Sequence, residues 1–370
     1  MTSGTSENRP NFPFTVSSYE DWLEVARQEL NGADPIKKLS LKKGNLEILP
    51  YYSASPIESH RNPMLKASSD LYHGARSWMN TPKIIVYDEN QANETALSCL
   101  NAGADGVLFD CQANPINPKI LLNKISLTDC SISFLMNDMS KKCLHDFQLF
   151  AESNFNKNEI KGCIFWRNIT DIRLEVVQTF AQWPQFYGLG IFIETQEDAI
   201  DEIAHSLKQA VQLVTTLSEK KVSTQIVLDQ ISFSLSVGTD FFLEIAKMKS
   251  LRNLWYQIKG AYEAGNSKPL HIHAHSKAWV KDDYQPHSNM IKATTAAMAS
   301  MMGGCDSLTI DPENETNVMM SRIARNVSSI LREESHFSKV ADPTAGSYYV
   351  DSITDQLSEK AWSKFQSLMK

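Results

Sequence analysis

Between Pro269 and Pro312 the chain alternates, winds and alternates again. Leu270, Ile272 and Ala274 interleave with His271, His273 and His275, which in a strand puts apolar groups on one face and imidazoles on the other. Pro286 and Ser288 then open a helix with Met290, Thr294, Ala297, Met298 and Met301 along one stripe, and Gly303-Gly304 ends it. Leu308-Thr309-Ile310 predicts the next strand. Strand, returning helix and strand make the βαβ unit of a parallel sheet.

The same alternation runs from Lys83 onward. The pattern predicts strands near Ile84 to Tyr87, Gly106 to Cys111, Ser131 to Met136, Gly162 to Trp166, Gly188 to Glu194, Gln225 to Ser236, His271 to His275 and Leu308 to Ile310. Helices are expected at about Gln91 to Ala102, Leu144 to Glu152, Asp171 to Ala181, Glu197 to Thr216, Asp240 to Tyr262, Ser288 to Met302 and Val318 to Glu334, with a last one through Ala361, Trp362 and Phe365. Ahead of them, Tyr19, Trp22, Leu23, Ala26 and Leu30 recur at helical spacing until Asn31-Gly32, and Leu39 to Tyr52 reads as extended chain. Residues 1 to about 12 are polar and expected to be disordered. The organisation is therefore an N-terminal arm over 1–75 and a barrel over 76–370.

Eight strands alternating with helices predict the α/β class and a (β/α)8 TIM barrel. A doubly wound open sheet is the alternative; against it, Asp88-Glu89-Asn90 follows the first strand where a Gly-rich phosphate turn belongs. The 370 residues accommodate a barrel of roughly 250 residues plus an arm. A net charge of -7 without a basic run argues against nucleic acid. No apolar run approaches the roughly 20 residues that cross a bilayer, and MTSGTSENRP lacks the features of a signal peptide. Six scattered cysteines without a CxxC pair read as reduced thiols of a cytoplasmic protein.

Barrel chemistry gathers where the strands end. The polar groups there are Asp88, Asp110, Asn137, Arg167, Glu194, His275 and Asp311. The alternation of His271, His273 and His275 has the look of metal ligands, but two of them would lie deep along the axis and no HExxH or paired-cysteine motif accompanies them. Hydrogen-bonded side chains lining a channel are the plainer reading. Asp88 and Asp110 also suit helix N-caps. His60, His73, His145, His205 and His336 are isolated.

Several segments carry a resemblance. They are Trp279, Tyr284-x-Pro286-His287-x-Asn289-Met290, Thr294-Thr295-Ala296-Ala297, Gly303-Gly304-x-Asp306-Ser307, Arg322-Ile323-Ala324-Arg325-Asn326, Glu333-Glu334-Ser335-His336 and Ala341-Asp342-Pro343-x-x-Gly346-Ser347-Tyr348-Tyr349-Val350, with Gly238-Thr239-Asp240-x-Phe242-x-Glu244-Ile245-Ala246-Lys247 upstream. Together they resemble the substrate barrel of the methylmalonyl-CoA mutase family, most closely its small, β-type subunit. The arm, with Trp22, Ala26, Leu30-x-Gly32 and Pro50-Tyr51-Tyr52, resembles the segment by which that family's subunits embrace. The resemblance implies a barrel whose axis, in catalytic members, admits the pantetheine of coenzyme A. It also implies a corrinoid carried on a separate domain with an Asp-x-His-x-x-Gly motif. That motif is not found here, and the residues after Phe365 are too few for the domain, so adenosylcobalamin is expected on a partner subunit.

The barrel half of the site departs from the family. Catalytic subunits carry a Tyr-His pair at the end of the fifth strand; ungapped alignment from Glu202-Ile203-Ala204 puts Gly190-Ile191 there, and a shift of two gives Phe192-Ile193. Glu194 and His273 match family residues, whereas His275 stands where active subunits have glutamine. No catalytic residue, bound cofactor or metal ligand is therefore assigned; His271, His273, His275, Glu194 and Asp311 are candidates for lining a channel or a vestigial site. The expected role is a non-catalytic component of methylmalonyl-CoA/succinyl-CoA isomerisation, paired with a large cobalamin-binding subunit as a heterodimer, or with itself, with acyl-CoA as a further ligand. The alternatives are the barrel of a split acyl-CoA mutase and a metal-dependent barrel hydrolase.

Overall fold

The computed structural model describes residues 17–53, 65–68, 74–112, 116–169, 172, 174–193, 198–264, 267–276, 288–314 and 317–370. Glu194, the Trp279 to His287 part of the family resemblance and the N-terminal residues expected to be disordered lie outside them. The chain divides into two compact units, Met1–Ser59 and His60–Lys370.

In the first unit α1 (Tyr19–Glu29) starts at a capping box. Asp21 N donates to Ser18 Oγ (3.1 Å) and Ser18 N donates to Asp21 Oδ2 (2.7 Å), so two otherwise unpartnered amides at the helix start are satisfied. Asn31 and Gly32 take positive φ (53° and 87°) and end the helix, as their identities predict. After α2 (Pro35–Leu39), the segment read as extended is an antiparallel hairpin, β1 (Leu41–Lys43) and β2 (Leu46–Ile48). Leu46 and Ile48 are buried, and Trp22 stacks on Tyr51 with ring centroids 5.0 Å apart.

The second unit holds one parallel sheet: β3 (Met79–Asn80), β4 (Lys83–Ile85), β5 (Gly106–Asp110), β6 (Ser131–Met136), β7 (Gly162–Trp166), β8 (Phe186–Phe192), β9 (Ile231–Val237), β10 (His271–Ser276) and β11 (Ser307–Thr309). Its order is β3-β11-β10-β9-β8-β7-β6-β5-β4. The two ends of this ladder are consecutive in the chain. Thr81 N donates to Leu308 O (2.9 Å) on one side, and Pro82 O accepts from Leu108 N (3.0 Å) on the other. β3 and β4 are thus two halves of one barrel strand, interrupted at a proline that has no N–H to give the ladder. The result is the expected (β/α)8 barrel, and closure removes the sheet's edges.

The crossovers are α3 (Glu89–Asn101), α4 (Pro118–Leu121), α5 (Lys141–Asn154), α6 (Leu174–Phe180), α7 (Ala199–Glu219) with α8 (Thr224–Gln230), α9 (Phe241–Ala261), α10 (Ser288–Gly303) and α11 (Val318–Glu333); α12 (Tyr348–Met369) follows. α12 packs outside α7 and α9, where Ser250 Oγ donates to Thr354 O (2.9 Å). Nearby, Lys249 Nζ lies 2.9 Å from both carboxylate oxygens of Asp342.

Two expectations need correction. The strand predicted from Gln225 begins only at Ile231, because Thr224–Gln230 is helical. That helix buries Val227 and Leu228, and Gln230 Nε2 donates to Val177 O (2.9 Å), so a short apolar run without clear periodicity went to the wrong element. On α10 the buried face runs through Asn289, Ala293, Ala296, Ala297, Ser300 and Met301, while Met290 is 40% exposed. Small side chains there permit close approach to α9: a Cβ on Gly303 would stand 3.1 Å from Met248 Cβ.

Candidate functional site

The inner wall of the barrel has two unlike halves. β9 gives Ser232, Ser234 and Ser236, β10 its three histidines, and β11 Ser307 and Thr309, a polar arc. Facing it are Leu108, Leu135, Cys163 and Phe165, packed with Tyr187 and Phe192. Tyr187 and Phe192 are separated by five positions yet share this face because β7 and β8 slip by one residue: Cys163 pairs with Tyr187, but Phe165 pairs with Gly190. One extra residue on β8 is a bulge.

Each histidine meets an aromatic ring across the axis. At the N-terminal end Tyr187 and His271 have centroids 5.3 Å apart, and His271 Nε2 is 2.9 Å from Ser307 Oγ. In the middle Phe165 stacks on His273 at 5.0 Å. Both nitrogens of His273 are engaged, Nδ1 with Ser234 Oγ (2.8 Å) and Nε2 with Thr309 Oγ1 (2.9 Å). At the C-terminal end Phe192 stacks on His275 at 5.1 Å and 15°. His275 Nε2 is buried and makes no hydrogen bond among the described residues.

The middle level is filled. Phe165 and His273 are each 1% exposed, and Leu108 and Leu135 each 3%. A Cβ on Gly190 would lie 2.6 Å from Phe165 Cδ1, 2.9 Å from Ser232 Oγ and 2.5 Å from Ile164 O. Position 190 thus has no room for any side chain, and the Phe165 ring stands beside it.

Burial dominates the electrostatics. It pushes His271 and His275 down to about 4, and His273 well below the ordinary imidazole range, with neighbouring cations and histidines adding to the effect. All three are neutral at neutral pH. Over them lie two ion pairs: Arg167 Nη2 bonds both carboxylate oxygens of Asp110 (2.7 and 2.8 Å), and Lys83 Nζ stands 3.0 Å from Asp311 Oδ1. Burial raises Asp311 while Lys83 opposes the rise. The Arg167 guanidinium is 5.9 Å from the centroid of Phe192. Among the described residues, no three His, Cys, Asp or Glu side chains gather to hold a metal ion.

The structure thus brings the three histidines onto one inward face, places Asp311 at the mouth with Lys83, and leaves Glu194 outside the described residues. Asp88 caps α3, its Oδ1 accepting from Gln91 N (2.9 Å). Asp110 is no cap but Arg167's partner. Sequence reasoning passed over the serines of β9, although Ser232, Ser234 and Ser236 alternate just as the histidines do. It also missed a buried cluster beside them: Lys247 Nζ lies 3.0 Å from Glu202 Oε2, 2.7 Å from Glu244 Oε2 and 2.7 Å from Ser236 O. Burial disfavours that ammonium, and the carboxylates of Glu202 and Glu244 more than offset it and raise Lys247.

Fold and axis together define a (β/α)8 barrel with its axis closed at mid-height. The sequence profile described as methylmalonyl-CoA mutase matches residues 190–370. The methylmalonyl-CoA mutase small subunit of Porphyromonas gingivalis is 29% identical over 96% of this chain and 63% of its own length. The mitochondrial methylmalonyl-CoA mutase of Mus musculus is 30% identical over 93% of this chain and 54% of its own. The chain belongs to the methylmalonyl-CoA mutase family, and it spans less than two thirds of these relatives. Among solved structures, the dihydropteroate synthase of Yersinia pestis aligns over 73% of this chain and 100% of its own with TM-score 0.39 and 13% identity, and nothing functional rests on that likeness.

Proposed function

We propose that this chain is a non-catalytic, small-subunit-type component of an adenosylcobalamin-dependent methylmalonyl-CoA mutase, which pairs with a large cobalamin-bearing subunit and supports its fold or assembly. The observation that carries the reading is the closed axis. A pantetheine arm needs a continuous passage, and the Phe165–His273 stack occupies it beside Gly190. Small-subunit relatives favour the same role.

The corrinoid is assigned to the partner. At the mouth the one described strand-end imidazole is His275, stacked under Phe192 with its Nε2 buried. These residues do not fit a cobalt ligand. Placement in the cytoplasm is part of the proposal: all six cysteines are unpaired. No helix among the described residues is long and apolar enough to cross a membrane.

Native mass spectrometry of the protein purified from its own cells tests the proposal. The expected species is a one-to-one complex with a larger mutase chain. A lone chain that turns over methylmalonyl-CoA when given adenosylcobalamin and a separate corrinoid-binding domain would instead establish the split-enzyme alternative.

A further inference from the structure

At the N-terminal end of the barrel, Ser131, Lys161, Gln185, Tyr187 and His271 wall a depression of about 360 Å³ in which Lys268 also stands. The segment that carries Lys268 is pinned on several sides. Lys268 N donates to Asp229 Oδ1 (2.8 Å), Lys259 Nζ donates to Lys268 O (2.6 Å), and Tyr187 OH donates to Pro269 O (2.9 Å). The Lys268 amine itself lies 3.5 Å above the Tyr187 ring centroid and donates to Phe186 O (2.8 Å).

Lys268 combines a lowered amine with open volume; Lys259, also pushed down to about 8 by burial, is 3% exposed and does not line the depression. Lys247, Lys249 and Lys83 each face a carboxylate within 3.0 Å. Among the described residues Lys268 has no such ion pair. The groups facing it are Cys163 of β7, Tyr187 of β8, Asp229 of α8, Lys259 of α9, His271 of β10 and Lys161 just ahead of β7. Burial pushes its amine down to about 8; Cys163 and Asp229 oppose this, and Lys259 adds to it. A half-buried amine with a fixed backbone, one of three donors used and open volume beside it is placed as a nucleophile.

We propose that Lys268 is an acylation site. Its uncharged ε-amine attacks the carbonyl carbon of a short acyl thioester, the C–S bond breaks, a proton of the amine goes to the departing thiolate, and an amide on Nζ remains beside a free thiol. The depression has room for a short acyl group. The reaction needs no other reagent, and the proposal stands independently of the role assigned to the axis.

The experiment incubates the full chain with S-acetyl-N-acetylcysteamine at pH 7.5 and follows acetylation of each lysine by peptide mass spectrometry. Exposed Lys119 and Lys142 serve as comparators. At that pH about a quarter of an amine titrating near 8 is uncharged, against roughly 0.1% for an ordinary lysine near 10.4, and lower intrinsic nucleophilicity takes back part of that advantage. Lys268 is expected to react about tenfold faster than the comparators, and its lead is expected to shrink toward pH 10 as they deprotonate. Equal rates at pH 7.5, or a lead unchanged with pH, overturns the proposal. So does a Lys268→Arg chain that keeps the fast phase.

Discussion

Phe165 and Gly190 are paired across β7 and β8, and the phenyl ring of one takes the volume that a side chain on the other would need. Giving residue 190 a methyl group forces Phe165 and Ser232 aside and presses on the carbonyl of Ile164, which belongs to the backbone and yields least. Overpacking of this kind costs about 1–3 kcal/mol. Gly190→Ala is therefore expected to lower the urea midpoint, and adding Phe165→Ala should recover only part of the loss attributable to the alanine. A double-mutant cycle reads the coupling directly, and additive effects of the two changes would contradict the packing described.

The histidine arc makes stability depend on pH in a definite direction. His271, His273 and His275 are held below their unfolded value near 6.5. Below that pH the unfolded chain binds more protons than the folded one, so stability rises with pH. The contribution is fully present above about 6.5 and is lost as pH falls toward 4, by up to about 1.4 kcal/mol per unit for each histidine. Urea unfolding at pH 7.5, 6.5 and 5.5 should show this slope, reduced in His273→Gln. A flat profile across that window would mean the imidazoles are reached by water.

Much of this arrangement was legible in the sequence, and what was not has identifiable causes. The alternation of His271 to Ala274 gave strand and face together, since a half-polar inner wall is the case in which period two is most visible. β5, β6 and β7, buried on both faces, were found as apolar runs. Thr224–Gln230 failed for the same reason, because a short buried run has no period to separate helix from strand. The plug was illegible: Phe165 reads as one more apolar residue, and its inward aim follows from pairing with Gly190 past the bulge, a fact of register between strands far apart in sequence. The cluster of Lys247 with Glu202 and Glu244 joins α7 to α9 and leaves only a weak local trace, the three-residue spacing of Glu244 and Lys247.

That cluster yields a third prediction. Lys247, Glu202 and Glu244 are each less than 9% exposed. Lys247→Met leaves two carboxylates without their counter-ion and is expected to cost about 3–5 kcal/mol. Adding Glu202→Gln and Glu244→Gln keeps acceptors for Ser236 Oγ and Gly238 N, so the triple variant should regain most of the loss. Thermal unfolding compares the three proteins, and a triple variant no more stable than the single one would show that the carboxylates do not need the ammonium.

The proposed role makes its sharpest demand on the residue that most resembles a catalytic group. His275 is neutral, lies at the mouth and has an Nε2 atom without a hydrogen bond among the described residues. If the axis performed chemistry, losing such a group would cost about 10²–10³ in turnover, as the loss of one oriented donor does elsewhere. If the chain only supports a catalytic partner, His275→Ala leaves the reaction untouched and removes little more than its stacking on Phe192. Turnover of the complex with the large subunit, measured at saturating substrate and equal complex concentration, is expected to stay within about twofold of the unsubstituted complex. A loss of two orders of magnitude with the complex intact would return the chemistry to this barrel.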